Sequence, residues 1–191
     1  MAQVSPAPGE DSSPALALVN SLLLAPDGSD LDLIATPDEA ARWLADRSLG
    51  TGVLVREADL VRLAGLRAAV RDLFIARSAA RVPDDHSVDV VNAAAATTSR
   101  TPFVVWSPDG PRREWATSMP NSVDDSLAQI AGDAIDVLCG DRAATIRRCE
   151  AHGCVRLFLR EHARRRWCCT TCGDRVRAAR HYRLQQAQRH N

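Results

Sequence analysis

The chain contains no lysine: its 24 basic side chains are all arginine. A GC-rich coding bias accounts for that absence, so the choice of arginine at any one position says nothing about guanidinium chemistry there. Long apolar runs are missing too. The longest, ALALVNSLLLA at 15–25, falls well short of the roughly 20 residues a membrane span needs, and no basic stretch precedes it as a secretion signal requires. A cytoplasmic, reducing setting with no membrane partner is therefore expected, and there clustered cysteines favour metal over disulfides. The first 141 residues hold no glycine-rich phosphate loop, no activated Ser or Cys constellation and no His/Glu metal motif. Catalysis is not expected. The acidic pairs Asp84/Asp85 and Asp124/Asp125 fall at helix starts, where capping and the helix dipole explain them.

What the chain does have is a division of charge. Its formal net charge is 0, yet residues 142–191 hold 13 arginines against Glu150, Glu161 and Asp174, a net +10 that residues 1–141 balance with −10. At 191 residues and 46% hydrophobic content, it can bury one sizeable core and carry a small module. The expected organisation is a disordered Pro/Ser-rich segment over 1–13, an acidic helical domain over 14–141 and a basic domain over 142–191. A basic module beside an acidic body points to a polyanion partner, with the body able to fold back over the module.

Along the body, Ser13 and Pro14 read as N-cap and first position of a helix through residue 25. Thr36 and Glu39 form a capping box for a second helix. The longest helix covers 56–80, with Leu60, Leu63, Leu66, Val70, Leu73 and Phe74 at helical spacing. DDHSVDVVNAAAATT and SVDDSLAQIAGDAIDVLCG read as two more helices, the latter stopped by Gly140. Between them TPFVVWSPDGPRREWATS has β-branched and aromatic residues on either side of PDG, the pattern of a hairpin across Asp109 and Gly110. The fold class is therefore mainly α with a small β-hairpin, plus a C-terminal module of a short hairpin and a basic helix.

Five of the six cysteines crowd into residues 149–172, as Cys149-x4-Cys154 followed by Cys168, Cys169 and Cys172. Two cysteine pairs on short loops, separated by a hairpin-sized spacer, can converge four thiolates on one tetrahedral zinc. A module this small needs the metal to fold. Four thiolates leave no open position for catalysis, and an iron–sulfur cluster would want an apolar shell. The spacer VRLFLREHARRRW suits two short antiparallel strands. Spacing alone leaves Cys168 and Cys169 open, with a lean to Cys169 because two intervening residues is the commoner knuckle. His152 is a conceivable replacement ligand.

C-x4-C, LF, RRRWC, CGDR and the basic ARHYR helix resemble the CGNR zinc finger, which follows an ABATE domain in bacterial proteins described as candidate stress-induced transcription regulators. The body's LALVNS, DLDLIATPDEAARWL and LAGLRAAVRDLF are similar to the ABATE pattern. In the finger family the ligand directly follows Arg-Trp. The resemblance thus implies one structural zinc on Cys149, Cys154, Cys168 and Cys172, with Cys169 spare. It also implies DNA as partner. One departure is that Asp174 stands where the family has an asparagine.

Asp174 can cap a helix over RVRAARHYRLQQAQ, on which Arg177, Arg180 and Arg183 share a face. Ala178, Ala179 and Tyr182 are expected to pack on the knuckles. The arginine face, with Arg164, Arg165 and Arg166, is left for phosphates or base edges, and Arg175 braces the knuckle. Duplex DNA is favoured because exposed stacking aromatics are few; protein or RNA docking and a thiol switch through Cys169 are the rival readings. Asn20, Arg67 and Asn92 are polar residues on apolar helices, either satisfied structural groups or the lining of a small-molecule effector pocket. Trp43, Trp106 and Trp115 are expected to pack, and Cys139 to be buried. The oligomeric state is not legible.

Overall fold

A computed structural model describes residues 5–24 and 29–189. Six helices and three two-stranded antiparallel hairpins are found among them: α1 (Pro14–Val19), β1 (Leu22–Leu24), β2 (Asp30–Asp32), α2 (Pro37–Asp46), α3 (Glu57–Ser78), α4 (Asp85–Ala95), β3 (Arg100–Ser107), β4 (Gly110–Thr117), α5 (Val123–Cys139), β5 (Ile146–Arg148), β6 (Leu157–Leu159) and α6 (Thr170–Arg189). No described helix is long and apolar enough to cross a membrane.

Helix starts follow local chemistry. The Ser13 hydroxyl accepts the Leu16 amide hydrogen, and Thr36 and Glu39 exchange capping bonds at 3.3 and 3.1 Å. Helix α3 turns Leu63, Leu66, Val70, Leu73 and Phe74 into the core, with Leu60 half-buried against it. They meet the buried residues of α1 and α5, Leu16, Leu18, Ile130 and Ala134 among them. Gly140 caps α5 in extended conformation, at a position where a Cβ would sit 2.6 Å from the Asp136 carbonyl oxygen.

Helix α1 stops at Val19, six residues before the expected end, because the next residues have other partners. Ser21 turns its hydroxyl back to the Leu18 carbonyl, and Leu22–Leu24 pair with Asp30–Asp32; residue 25 lies outside the described residues. The β3–β4 hairpin turns through Pro108 and Asp109, with Ser107 opposite Gly110. It stands off the core, so Trp106 (77% exposed) and Trp115 (46% exposed) do not pack as expected, while Trp43 does.

The basic module is not a separate body. Strand β6, LFL, is buried on both faces: Leu157 and Leu159 join the helical core together with Ile146 of β5, while Phe158 joins a second cluster with Ala7, Ala151, Cys149, Cys168 and Cys172. At about 1.5–3 kcal/mol per buried large apolar side chain, Ile146, Leu157 and Leu159 together hold several kcal/mol. That is comparable to the stability of a whole domain, so cutting at residue 142 would open the body's core.

The tail corrects the expectation of disorder over 1–13, residues 1–4 lying outside the described residues. Ala7 is buried in the second cluster, the Leu159 amide donates to the Pro8 carbonyl at 2.9 Å, and Gly9, at φ +84°, passes so close that a Cβ would lie 2.7 Å from Leu159 Cγ. Glu10 joins Arg156 in a buried ion pair at 2.6 Å.

Candidate metal centre and nucleic-acid interface

Strand β5 delivers Cys149 and the turn after it delivers Cys154, with Gly153 at φ +70° reversing the chain between them. Cys168 comes from the loop before α6 and Cys172 from its first turn. The two halves are zipped by the Glu150 amide donating to the Arg166 carbonyl at 3.1 Å and by the Glu150–Arg166 ion pair. The sulfurs of Cys149, Cys154, Cys168 and Cys172 all lie within 4.8 Å of one another, with Cys168 3.7 Å from both Cys154 and Cys172. Thiolates at about 2.3 Å from a tetrahedral zinc stand about 3.8 Å apart, so the donor set fits that ion. Cys169 Sγ lies 3.9 Å from Cys168 Sγ, outside the group of four. His152 is exposed and also outside it.

Four such thiolates around one Zn²⁺ carry two net negative charges, which the surroundings must offset. The Cys168 amide donates to Cys149 Sγ at 3.4 Å, and the Arg175 guanidinium reaches Cys172 Sγ at 3.7 Å. Burial works against the Arg156 charge, but Glu10 and the Cys168 and Cys169 sulfurs outweigh it and hold its pKa above the ordinary value. Hydrogen bonds from Cys154 and Cys168 pull Cys149 down to about 2, the bonds to Cys149 and Cys154 push Cys168 far up, and burial with the neighbouring sulfurs pushes Cys172 up to about 12.

The spacer after Cys154 does not form a hairpin of its own. Its LFL strand pairs backwards, Phe158 opposite Arg147, because both of its faces find a core there, and residues 160–169 turn instead. Helix α6 begins at Thr170, so Asp174 lies inside it, exposed and bonded to Arg177 at 2.5 Å, rather than at its cap. Beyond Val176, which packs on the second cluster, α6 leaves the body. Ala178, Ala179 and Tyr182 are exposed, not packed on the knuckles, as are Arg175, Arg177, Arg180 and Arg183. Arg177 also lies over the Trp167 ring at 5.9 Å. Arg164 and Arg166 are exposed and Arg165 half-buried in the turn before the second knuckle.

The proposed effector residues do not converge. Asn20 is fully engaged: its Nδ2 donates to the Leu157 carbonyl at 2.9 Å and to Glu10 at 3.0 Å, and its Oδ1 accepts the Leu157 amide hydrogen at 3.0 Å. Arg67 makes a bidentate pair with Asp32 at 2.7 and 2.7 Å and donates to Ser21 Oγ at 2.9 Å. Burial opposes ionisation of Asp32, yet bonds from Arg67 and the Ile34 amide hold its carboxyl below the usual range. Asn92 is exposed on α4, beside a groove. Cys139 is exposed rather than buried. Sequence reasoning missed Ala7, Glu10 and Arg156 as supports of the metal centre, since nothing near them in the chain signals a partner some 150 positions away.

A helical body that shares its core with a four-thiol cluster fitted to zinc has the make-up of a zinc-finger protein. The model of the ABATE family, described as "Putative stress-induced transcription regulator", matches residues 12–141, and that of the CGNR zinc finger matches residues 145–185. The chain belongs to the ABATE family and carries a CGNR zinc finger. Comparison with curated proteins returned no match.

Proposed function

We propose that this chain is a non-enzymatic bacterial transcription regulator of the cytoplasm, holding one structural zinc on Cys149, Cys154, Cys168 and Cys172 and binding duplex DNA through α6. One observation carries the reading: α6 runs past the metal centre with residues 177–186 exposed throughout, presenting Arg180 and Arg183 on one side and Arg177 one turn earlier. At 1.5 Å per residue, the stretch from Arg177 to Gln186 reaches roughly 13 Å beyond its last packed turn, long enough to lie along a groove of the duplex. The thiolate centre fixes the root of the helix, and Arg164 and Arg166 flank it for phosphate contacts. The zinc supplies folding energy and no chemistry of its own.

The test uses the zinc-loaded full chain, titrated with two duplexes over a salt series. Arg180→Ala and Arg183→Ala should each lower the salt slope by about 0.9 if they meet phosphate, or cost roughly 1–3 kcal/mol on the preferred site alone if they read bases. Unchanged binding with zinc retained discards α6 as the DNA surface. Exposed Tyr182 (62%) and Leu184 (56%) favour protein docking by the same helix as the second reading.

A further inference from the structure

Between the C-terminal half of α3, helix α4 and the last turns of α5 lies a groove of about 360 Å³. Its floor is hydrocarbon: Leu73, Val88, Val91, Ile135 and Leu138. That volume suits a small molecule and not a macromolecular segment. Two arginines stand at its rim, and they differ. Arg81 is occupied, donating to Asp72 at 2.5 Å and to the Val82 carbonyl at 3.2 Å. Arg77 is exposed and makes no ion pair among the described residues, and the charge it meets across the packing of α3 on β5 is another cation, Arg147. An apolar trough with one uncompensated cation at its mouth calls for a ligand with the opposite pattern.

We propose that this groove binds a small amphipathic monocarboxylate, its hydrocarbon part laid on Leu73, Val88, Val91, Ile135 and Leu138 and its carboxylate held by Arg77. A neutral ligand would leave the guanidinium without a counter-charge, and a polyanion would have no use for the apolar floor. The groove takes in Cys139, the last residue of α5, from which the chain passes through Gly140 into the finger strand β5. A ligand there touches the element that carries the body into the finger. The site is separate from the metal centre, and its occupancy is measured without DNA, so it stands or falls independently of the DNA reading.

The experiment is calorimetric titration of the zinc-loaded full chain with saturated straight-chain monocarboxylates of six to twelve carbons, with the matching primary alcohols as uncharged controls. Saturable binding at one per chain is expected at some length in that series. Both Arg77→Gln and replacement of the acid by the alcohol should weaken it by roughly tenfold or more, the loss of one charge-assisted contact. Val88→Phe, which fills the floor, should abolish it. Arg77 is exposed, so its variant keeps the fold and decides the matter even if the Phe variant does not. No saturable binding across the series, or binding indifferent to Arg77→Gln, overturns the proposal.

Discussion

Asn20 and Asn92 look alike in the sequence, each a lone amide on an apolar helix, but the structure gives them opposite weights. Asn20 is 2% exposed and stands in for a neighbouring strand, bonding both the amide and the carbonyl of Leu157, which is itself fully buried. Asn20→Ala leaves one buried donor and one buried acceptor without partners, at about 1–3 kcal/mol each. Glu10 keeps Arg156 and the Ala7 amide, so its share is small. The sum is about 2–6 kcal/mol, a large part of a typical 5–15 kcal/mol stability. With a urea m-value of about 2 kcal/mol/M, the midpoint should fall by roughly 1–3 M. Asn92→Ala, on an exposed surface, should stay within about 0.5 kcal/mol. Urea unfolding of the zinc-loaded chain, followed by circular dichroism, measures both. Zinc transfer to a chelator should also be faster in the Asn20 variant, since Leu157 is in the helical core and the next residue of the same strand, Phe158, packs in the metal cluster. Equal midpoints for the two variants would refute the claim that Asn20 pins the finger to the body.

Three further outcomes are expected. Zinc binding should release protons, because the neighbouring sulfurs push the Cys168 thiol up and burial pushes the Cys172 thiol up in the metal-free cluster, and the metal takes them as thiolates. Affinity then rises with pH and falls as the solution is acidified, and titration in buffers of different ionisation enthalpy should show net proton release on zinc binding; no release would contradict the thiol assignment. Glu10→Ala strands buried Arg156 and should cost about 3–5 kcal/mol, measured by thermal or urea unfolding. Asp174→Asn removes a carboxylate that occupies Arg177 and should tighten DNA binding at low salt, with the gain fading as salt rises; weaker binding by this variant would contradict the placement of α6 on DNA.

Local signals were legible and long-range ones were not. The Thr36 capping box, the α3 stripe, the PDG hairpin and the cysteine spacing each rest on neighbours a few residues apart. The choice of Cys168 over Cys169 came from the family likeness, against the spacing. What escaped depends on partners far along the chain. The tail is ordered because Ala7, Gly9 and Glu10 meet β6 and Arg156. Helix α1 ends early because Asn20 serves Leu157. The LFL strand carries no alternation of polarity because it lies between two cores. Asp174 reads as a cap, yet the helix starts earlier, at Thr170, and takes Cys172 into its first turn.

The central claim is a four-thiolate zinc centre in which Cys168, not its neighbour Cys169, is the third ligand in chain order. Metal analysis of purified full-length Cys168→Ser and Cys169→Ser tests it most directly. The account predicts one zinc per chain in the parent and in Cys169→Ser, and loss of stoichiometric zinc in Cys168→Ser. Zinc retained by Cys168→Ser and lost by Cys169→Ser would contradict it.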